Sequence, residues 1–166
     1  TEKFENKCVE SFHSYKLRFK EKNQYQIKSN IVFWATDLLG DVLGVVDSTD
    51  PLLRHKTSSR VAYDMAYRMA ERNGGFDGIF INEKNEVTEG GRSNLFMKKK
   101  GVMLTPPVEC GLLPGVMRAE LLNSSAFPVR EEVIRKEDVC VGADIYLCNA
   151  LRGLFKVELV RDNIQN

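Results

Sequence analysis

Lys56 and Glu89 are the side chains of this chain whose chemistry becomes specific when they are taken together. A lysine amine can hold an aldehyde as a Schiff base, and a carboxylate can keep a pyridine nitrogen protonated, so the pair points to pyridoxal phosphate chemistry. Glu89 stands in the run Val87-Thr88-Glu89-Gly90-Gly91-Arg92-Ser93-Asn94-Leu95-Phe96, a helix-sized interval after Lys56. Further on, in Gly111-Leu112-Leu113-Pro114-Gly115-Val116-Met117-Arg118, a glycine-bearing turn opens what reads as a helix. Free backbone N–H groups at such a start suit a phosphate. Each piece also has a plain structural reading: Lys56 as a surface lysine ahead of a helix, Glu89 as an exposed hairpin residue, Leu113 as core packing. Their order along the chain makes the combination specific.

Hydrolase and metal chemistry find no support. His13 and His55 have no Ser, Cys or metal-ligand partners at telling spacing, and neither a Walker-type nor a dinucleotide glycine fingerprint occurs. No metal is expected.

Lys56, the motif Glu89-Gly90 followed by Asn94-Leu95-Phe96, and the turn into Val116, in this order, resemble the fold-type IV pyridoxal phosphate enzymes, the class IV aminotransferases. That family contains branched-chain and D-amino acid aminotransferases and aminodeoxychorismate lyase. The resemblance runs from about Pro51 to about Val157 and includes Leu147-Cys148-Asn149-Ala150-Leu151-Arg152-Gly153. It implies an α+β fold, the carboxy-terminal domain of the D-amino acid aminotransferase-like fold with remnant strands of the amino-terminal small domain. It also implies a homodimer and a small-molecule amine substrate. Lys56 would be the catalytic residue, holding the cofactor and moving the substrate's α-proton, with its pKa well below that of free lysine. Glu89 would meet the pyridine nitrogen, Leu113 one face of the ring, and the amides of Val116 and Met117 the phosphate, with Asn94 and Asn149 completing the cofactor set. Many relatives carry threonine where Met117 stands, so a hydroxyl contact to the phosphate is absent here. Arg152 reads evenly as a fork for the substrate carboxylate and as a surface arginine in a turn.

Two departures bear on the reaction. Branched-chain enzymes carry a tyrosine five residues after the lysine, where Val61 stands here, and both Asn149-Ala150-Leu151-Arg152-Gly153 and Gly115-Val116-Met117-Arg118 look closer to aminodeoxychorismate lyase. The expected function is therefore that lyase, which forms 4-aminobenzoate and pyruvate in the folate pathway. An amino acid transaminase of D-amino acid or branched-chain type is the alternative, and a noncatalytic fragment or assembly domain is a third reading.

Composition sets the frame for these elements. The chain has 166 residues, 43% hydrophobic and 28% charged, which suits one well-buried core. Lysine and arginine number 24 against 23 acidic residues, so no net field favours nucleic acid or anionic lipid. No apolar stretch is long enough to span a bilayer and the amino end lacks a signal-peptide core, giving an expectation of a cytoplasmic protein without membrane partners. Cys8, Cys110, Cys140 and Cys148 read as buried or partly buried thiols.

Alternation of Tyr15, Leu17 and Phe19, then Tyr25 and Ile27 after a polar turn, predicts two antiparallel strands reaching Trp34. Residues 1–36 are read as the last strands of a partial small domain, 37–50 as a linker and 51–166 as the cofactor-binding domain. A helix is predicted between Ser58 and Asn73, where Val61, Met65 and Met69 recur at intervals of four with Ala62, Ala66 and Ala70 beside them, giving a small-residue packing face and a stop at Gly74-Gly75. Ile79 to Ile81 reads as a strand, Leu95 to Leu104 as a hairpin turning at Lys98-Lys99-Lys100-Gly101, and Val116 to about Ser124 as a helix. Short strands follow at Val129 to Ile134, Ile145 to Cys148 and Leu154 to Val160.

Overall fold

The computed structural model describes residues 30–140 and 142–161. Nine strands are linked in one sheet: β1 (Ile31–Trp34), β2 (Val45–Val46), β3 (Asp77–Asn82), β4 (Val87–Gly90), β5 (Asn94–Lys99), β6 (Val102–Thr105), β7 (Val129–Glu131), β8 (Ile145–Asn149) and β9 (Gly153–Leu159). Because β4 pairs with both β3 and β5, the strands β3, β1, β9, β8, β5 and β4 close on themselves into a small barrel. Closure removes free edges, and alternate residues must then point inward. Val32 and Trp34, Ile79 and Ile81, Val87, Leu95 and Met97, Ile145 and Leu147, and Phe155, Val157 and Leu159 fill the interior as one buried cluster. The barrel is thus packed solid with the apolar half of each strand.

Three helices lie outside it: α1 (Ala35–Leu43, broken at Gly40), α2 (Val61–Arg72) and α3 (Val116–Leu122). Helix α3 buries Met117 and Leu121 against Phe96, Met103, Cys148 and Leu154. Helix α2 lies on β3, where Tyr63 packs on Phe80 with ring centroids 4.5 Å apart. The β5–β6 hairpin turns at Lys100 and Gly101, both at positive φ (49° and 79°), and leaves Lys99 and Lys100 in solvent as expected of that basic run. Cys110 and Cys148 are buried, whereas Cys140 is exposed.

Residues 37–50, expected as a linker, carry most of α1, which buries Ala35 and Leu38, and β2, which pairs in parallel with β3. The glycines that read as punctuation belong to the helix instead, Gly40 as its break and Gly44 as its C-cap, and only 47–50 form a polar turn. Likewise β1, read as part of a separate small domain, lies between β3 and β9 of the barrel. The strands expected before it, at Tyr15 to Phe19 and at Tyr25 and Ile27, lie outside the described residues.

Helix α2 packs through its small residues, the face expected from the sequence. Tyr63, Ala66 and Ala70 are buried, while Val61 is 71% and Met65 40% exposed. The cause is the close approach of α2 to β3. A methyl group added at Gly78 would come within 3.0 Å of the Ala66 Cβ, so no long side chain fits at that contact. Ala66→Leu is therefore expected to cost about 1–3 kcal/mol by overpacking. Val61→Ala should stay within about 0.5 kcal/mol, the usual range for an exposed position. Urea unfolding of the two variants checks this, and the reverse ranking would mean that the Val61 face is the packed one.

Candidate active site

The position of Glu89 depends on one extra residue in β4. Ile81 pairs with Val87 and Ile79 with Gly90, so three residues of β3 (79–81) face four of β4 (87–90), a β-bulge. A bulge re-aims the side chains that follow it. Val87 enters the barrel core, but Glu89 registers with Asn94, the neighbour of inward-facing Leu95, and both polar side chains lie on the outer face. Glu89 is nonetheless only 3% exposed, because α2 and the segment leading to α3 cover it.

That covering segment is held by polar contacts. The Leu113 N–H donates to Glu89 Oε1 at 3.2 Å, and Asn94 Nδ2 donates to the Leu113 carbonyl at 2.9 Å and to Glu89 Oε2 at 3.4 Å. Gly115 approaches so closely that an added Cβ would lie 2.3 Å from Asn94 Oδ1. Only glycine fits at this N-cap, which offers no side-chain capping bond to α3. Val116 is exposed and the Met117 side chain is buried in the outer core, so what this helix start presents is backbone N–H. Glu89, Asn94, Leu113, Val116 and Met117 are therefore brought together, a buried carboxylate beside an uncapped helix start.

Lys56 comes from the other side. It is exposed, on the loop between a 3-10 turn (Pro51–Arg54) and α2. The entry to this loop is anchored at Ser48, whose N–H and Oγ donate to the Glu83 carboxylate at 2.9 and 2.5 Å, and by Asp50, which caps the 3-10 turn through the Leu52 N–H. Its exit is anchored at Arg60. That guanidinium lies 3.9 Å from Glu89 Oε1, donates to the Gly91 carbonyl at 3.4 Å and sits 4.3 Å over the Tyr63 ring. The lysine loop is thus tied to the glutamate site by a residue four positions on.

Burial decides the protonation of this pocket. It pushes the Glu89 carboxyl up to about 8, against the opposing pull of Arg60 and the Leu113 N–H, and the charge of Asp77 adds to the rise. The Tyr63 phenol is pushed up as well, first by burial and then by Glu89. At neutral pH Glu89 carries a proton that it can share with a basic nitrogen placed beside it. A pyridine ring with a phosphate arm fits these donors: carboxyl for the nitrogen, Leu113 beside it, and the first amides of α3 for the anion.

The remaining expected residues lie on the turn 90–93 and its neighbour. Asn149 Nδ2 donates to the Arg92 carbonyl at 3.2 Å, and its Oδ1 accepts from the amides of Leu151 and Arg152 at 3.1 and 2.8 Å. Its polar atoms are engaged with these turns rather than with Glu89. The Arg152 guanidinium stacks over Phe76, 4.5 Å from the ring centroid. Sequence reasoning passed over Arg60, Tyr63 and Asp77. The signals were there: an arginine and a tyrosine three apart at a helix entry, and one aspartate in the apolar run Phe76 to Ile81.

Residues 29–160 match the family model described as amino-transferase class IV. The chain belongs to the class IV aminotransferase family. Among curated members it is similar to the branched-chain-amino-acid aminotransferase of Escherichia coli (strain K12), 31% identical over 99 residues, 58% of this chain and 32% of that one. It is also similar to the aminodeoxychorismate lyase of Vibrio harveyi, 29% identical over 125 residues, 71% of this chain and 46% of that one. The crystal structure of a putative amino-acid aminotransferase from Mesorhizobium loti superposes with a TM-score of 0.68 at 35% identity, covering 81% of this chain and 61% of that one. The α+β barrel is the carboxy-terminal part of the family fold, and the chain spans less than half the length of these two curated relatives.

Stability carries the signature of the buried acid. A carboxyl whose folded pKa of about 8 exceeds its unfolded value of 4.5 binds more protons in the folded state between those limits. Stability therefore falls as pH rises through that window, by an amount on the order of a few kcal/mol. Glu89→Gln should flatten this slope, matching the wild type near pH 4 and exceeding it near pH 8.5 in thermal melts. Parallel curves for the two proteins would show that Glu89 titrates normally.

Proposed function

We propose that this chain is the cofactor-bearing part of a pyridoxal phosphate-dependent enzyme of the class IV family, acting on a small-molecule amine, with aminodeoxychorismate lyase as its reaction. The observation that carries the cofactor reading is the convergence of a buried, proton-holding Glu89 with the uncapped start of α3, joined through Asn94 and Leu113. When bound, the cofactor supplies an electron sink for charge at the substrate's α-carbon. The chain's own residues do the rest. Lys56 would hold the cofactor through its amine and would be the group to move the substrate's α-proton. Glu89 would hold the proton at the ring nitrogen, Leu113 would pack on the ring, and the Val116 and Met117 amides would hold the phosphate. Asn94 keeps Glu89 and Leu113 in register, Asn149 supports the turn beside them, and Arg152 is the residue for a substrate carboxylate.

The lyase reading is supported by position 61. Val61 is exposed and offers no phenol where branched-chain enzymes have one. Transamination is the second reading, favoured by the slightly higher identity to the branched-chain aminotransferase over its shorter match. A homodimer in the cytoplasm belongs to the same proposal. Among the described residues no helix is long and apolar enough to cross a membrane, and no cluster of metal-ligating side chains occurs.

Borohydride treatment of the chain with pyridoxal phosphate, followed by mass mapping, should place the label on Lys56. Lys56→Ala should abolish the label and leave the melting temperature unchanged, since the side chain is exposed. Label spread over surface lysines would overturn the site. On the complete protein, release of pyruvate from aminodeoxychorismate supports the lyase; transfer of the amino group from an amino acid to a 2-oxo acid without pyruvate release supports the transaminase.

A further inference from the structure

Asp77 is fully buried and has no part in the chemistry above. Its carboxylate accepts from four donors. Oδ1 takes the N–H of Gly78 at 2.8 Å and of Gly91 at 2.9 Å, and Oδ2 takes the N–H of Arg92 at 3.1 Å and the Ser93 hydroxyl at 2.7 Å. Four donors fill both oxygens, an arrangement that only the ionised form satisfies in full. Three of the four belong to the turn 91–93. Glu89 and Asn94, which pair across the two strands flanking this turn, are the residues it brings face to face.

The turn fits around Asp77 and little else. An added Cβ at Gly90 would lie 2.5 Å from Asp77 Oδ2, and one at Gly91 would lie 2.9 Å from Oδ1 and 2.6 Å from the Tyr63 carbonyl. The second oxygen-rich contact of the turn faces outward: the Gly91 carbonyl accepts from Arg60, the same guanidinium that approaches Glu89, and the Arg92 carbonyl accepts from Asn149. Arg60, which reaches Glu89 from the α2 side, is therefore indexed to a turn whose amide face is pinned by one carboxylate.

We propose that Asp77 is the positioning residue for Glu89: by gathering the amides of the 91–93 turn it sets where the Glu89 carboxyl stands relative to Leu113 and the ring nitrogen of pyridoxal phosphate. The proposal rests on the cofactor reading above for the identity of the ring, but its first half concerns the protein alone. Asparagine at position 77 keeps the shape and turns one acceptor oxygen into an NH2 group facing donors. Such an exchange leaves a buried N–H without its partner. Ser93→Ala is the milder variant, removing a single donor and leaving the charge.

Two measurements separate positioning from simple support of the fold. In the cofactor-free chain, hydrogen exchange at the Leu113 amide, whose acceptor is Glu89, should rise by about tenfold in Asp77→Asn relative to amides of β8 and β9, the change that loss of a single well-made hydrogen bond brings. Unchanged relative exchange overturns the proposal whether or not a cofactor binds. With ligand, binding is compared for pyridoxal phosphate and its 1-deaza analogue, in which CH replaces the ring nitrogen, with Glu89→Gln as reference. Asp77→Asn should weaken pyridoxal phosphate by about tenfold more than the analogue, as Glu89→Gln does. Equal weakening of both ligands would mean that Asp77 only supports the fold and overturns the proposal. If Glu89→Gln itself fails to discriminate, the cofactor reading falls, and the exchange experiment alone decides the role of Asp77. Should Asp77→Asn not fold, Ser93→Ala is read by the same two criteria, with smaller shifts in the same direction.

Discussion

A single surplus residue between Val87 and Gly90 governs the site. Without it, strict alternation along β4 would carry Glu89 inward with Val87, into a barrel interior filled entirely by apolar side chains. A carboxyl there would have no partner, and burying such a group unpaired costs several kcal/mol. The bulge turns the same residue to the outer face, opposite Asn94, where donors from Leu113 and Asn94 can reach it. It is still buried there. The donors are sufficient to make burial tolerable and insufficient to restore an ordinary acidity, and that intermediate condition is what lets the group hold a proton near neutral pH.

Everything that surrounds Glu89 can be read as managing that condition. Arg60 opposes the rise in its pKa from 3.9 Å, with a guanidinium that is itself partly exposed. Asp77 works in the opposite direction on charge while fixing the turn geometry. The aromatic ring of Tyr63 carries Arg60 on one side and packs on Phe80 on the other, so the helix that bears the arginine is seated on the strand that bears the aspartate. The closed barrel gives these small distances their meaning, since β3, β4 and β5 cannot slide past one another without breaking the circuit.

The sequence was readable where one residue type has one use. The apolar strands at Ile79 to Ile81, Leu95 to Met97 and Ile145 to Cys148, the basic turn at Lys100-Gly101 and the helix from Val116 all appear where their patterns place them, because those signals are local. The Glu89 to Phe96 run was readable because a motif keeps spacing as well as type. What escaped depends on contacts distant along the chain. Nothing local says which strand the small-residue face of α2 meets, or that it approaches Gly78 closely enough to admit only Ala66. Nothing local says that residues 31–46 supply β1, α1 and β2 to the sheet of the cofactor domain, since parallel pairing with β3 and β9 leaves no mark in the intervening sequence. Nothing local says that the Asn149 side chain reaches the Arg92 carbonyl of the 90–93 turn.

Lys56 and Glu89 sit in very different settings, one on an exposed loop and one buried on a strand, and the difference suits the roles proposed for them. A proton shared with a ring nitrogen demands a fixed direction, and Glu89 sits on a strand, buried, with its neighbours bonded in both directions. An amine that must first hold an aldehyde and then swing to a carbon-bound proton needs reach, and a long flexible side chain on an exposed loop provides it. Freedom in the loop would be wasted if its base drifted. Ser48 on Glu83 at one end and Arg60 on Gly91 at the other pin that base to the β3–β4 and β4–β5 turns. The exposed amine and the buried carboxyl therefore share one reference, the pair of turns that border β4, and the bulge in that strand is the element from which both are measured.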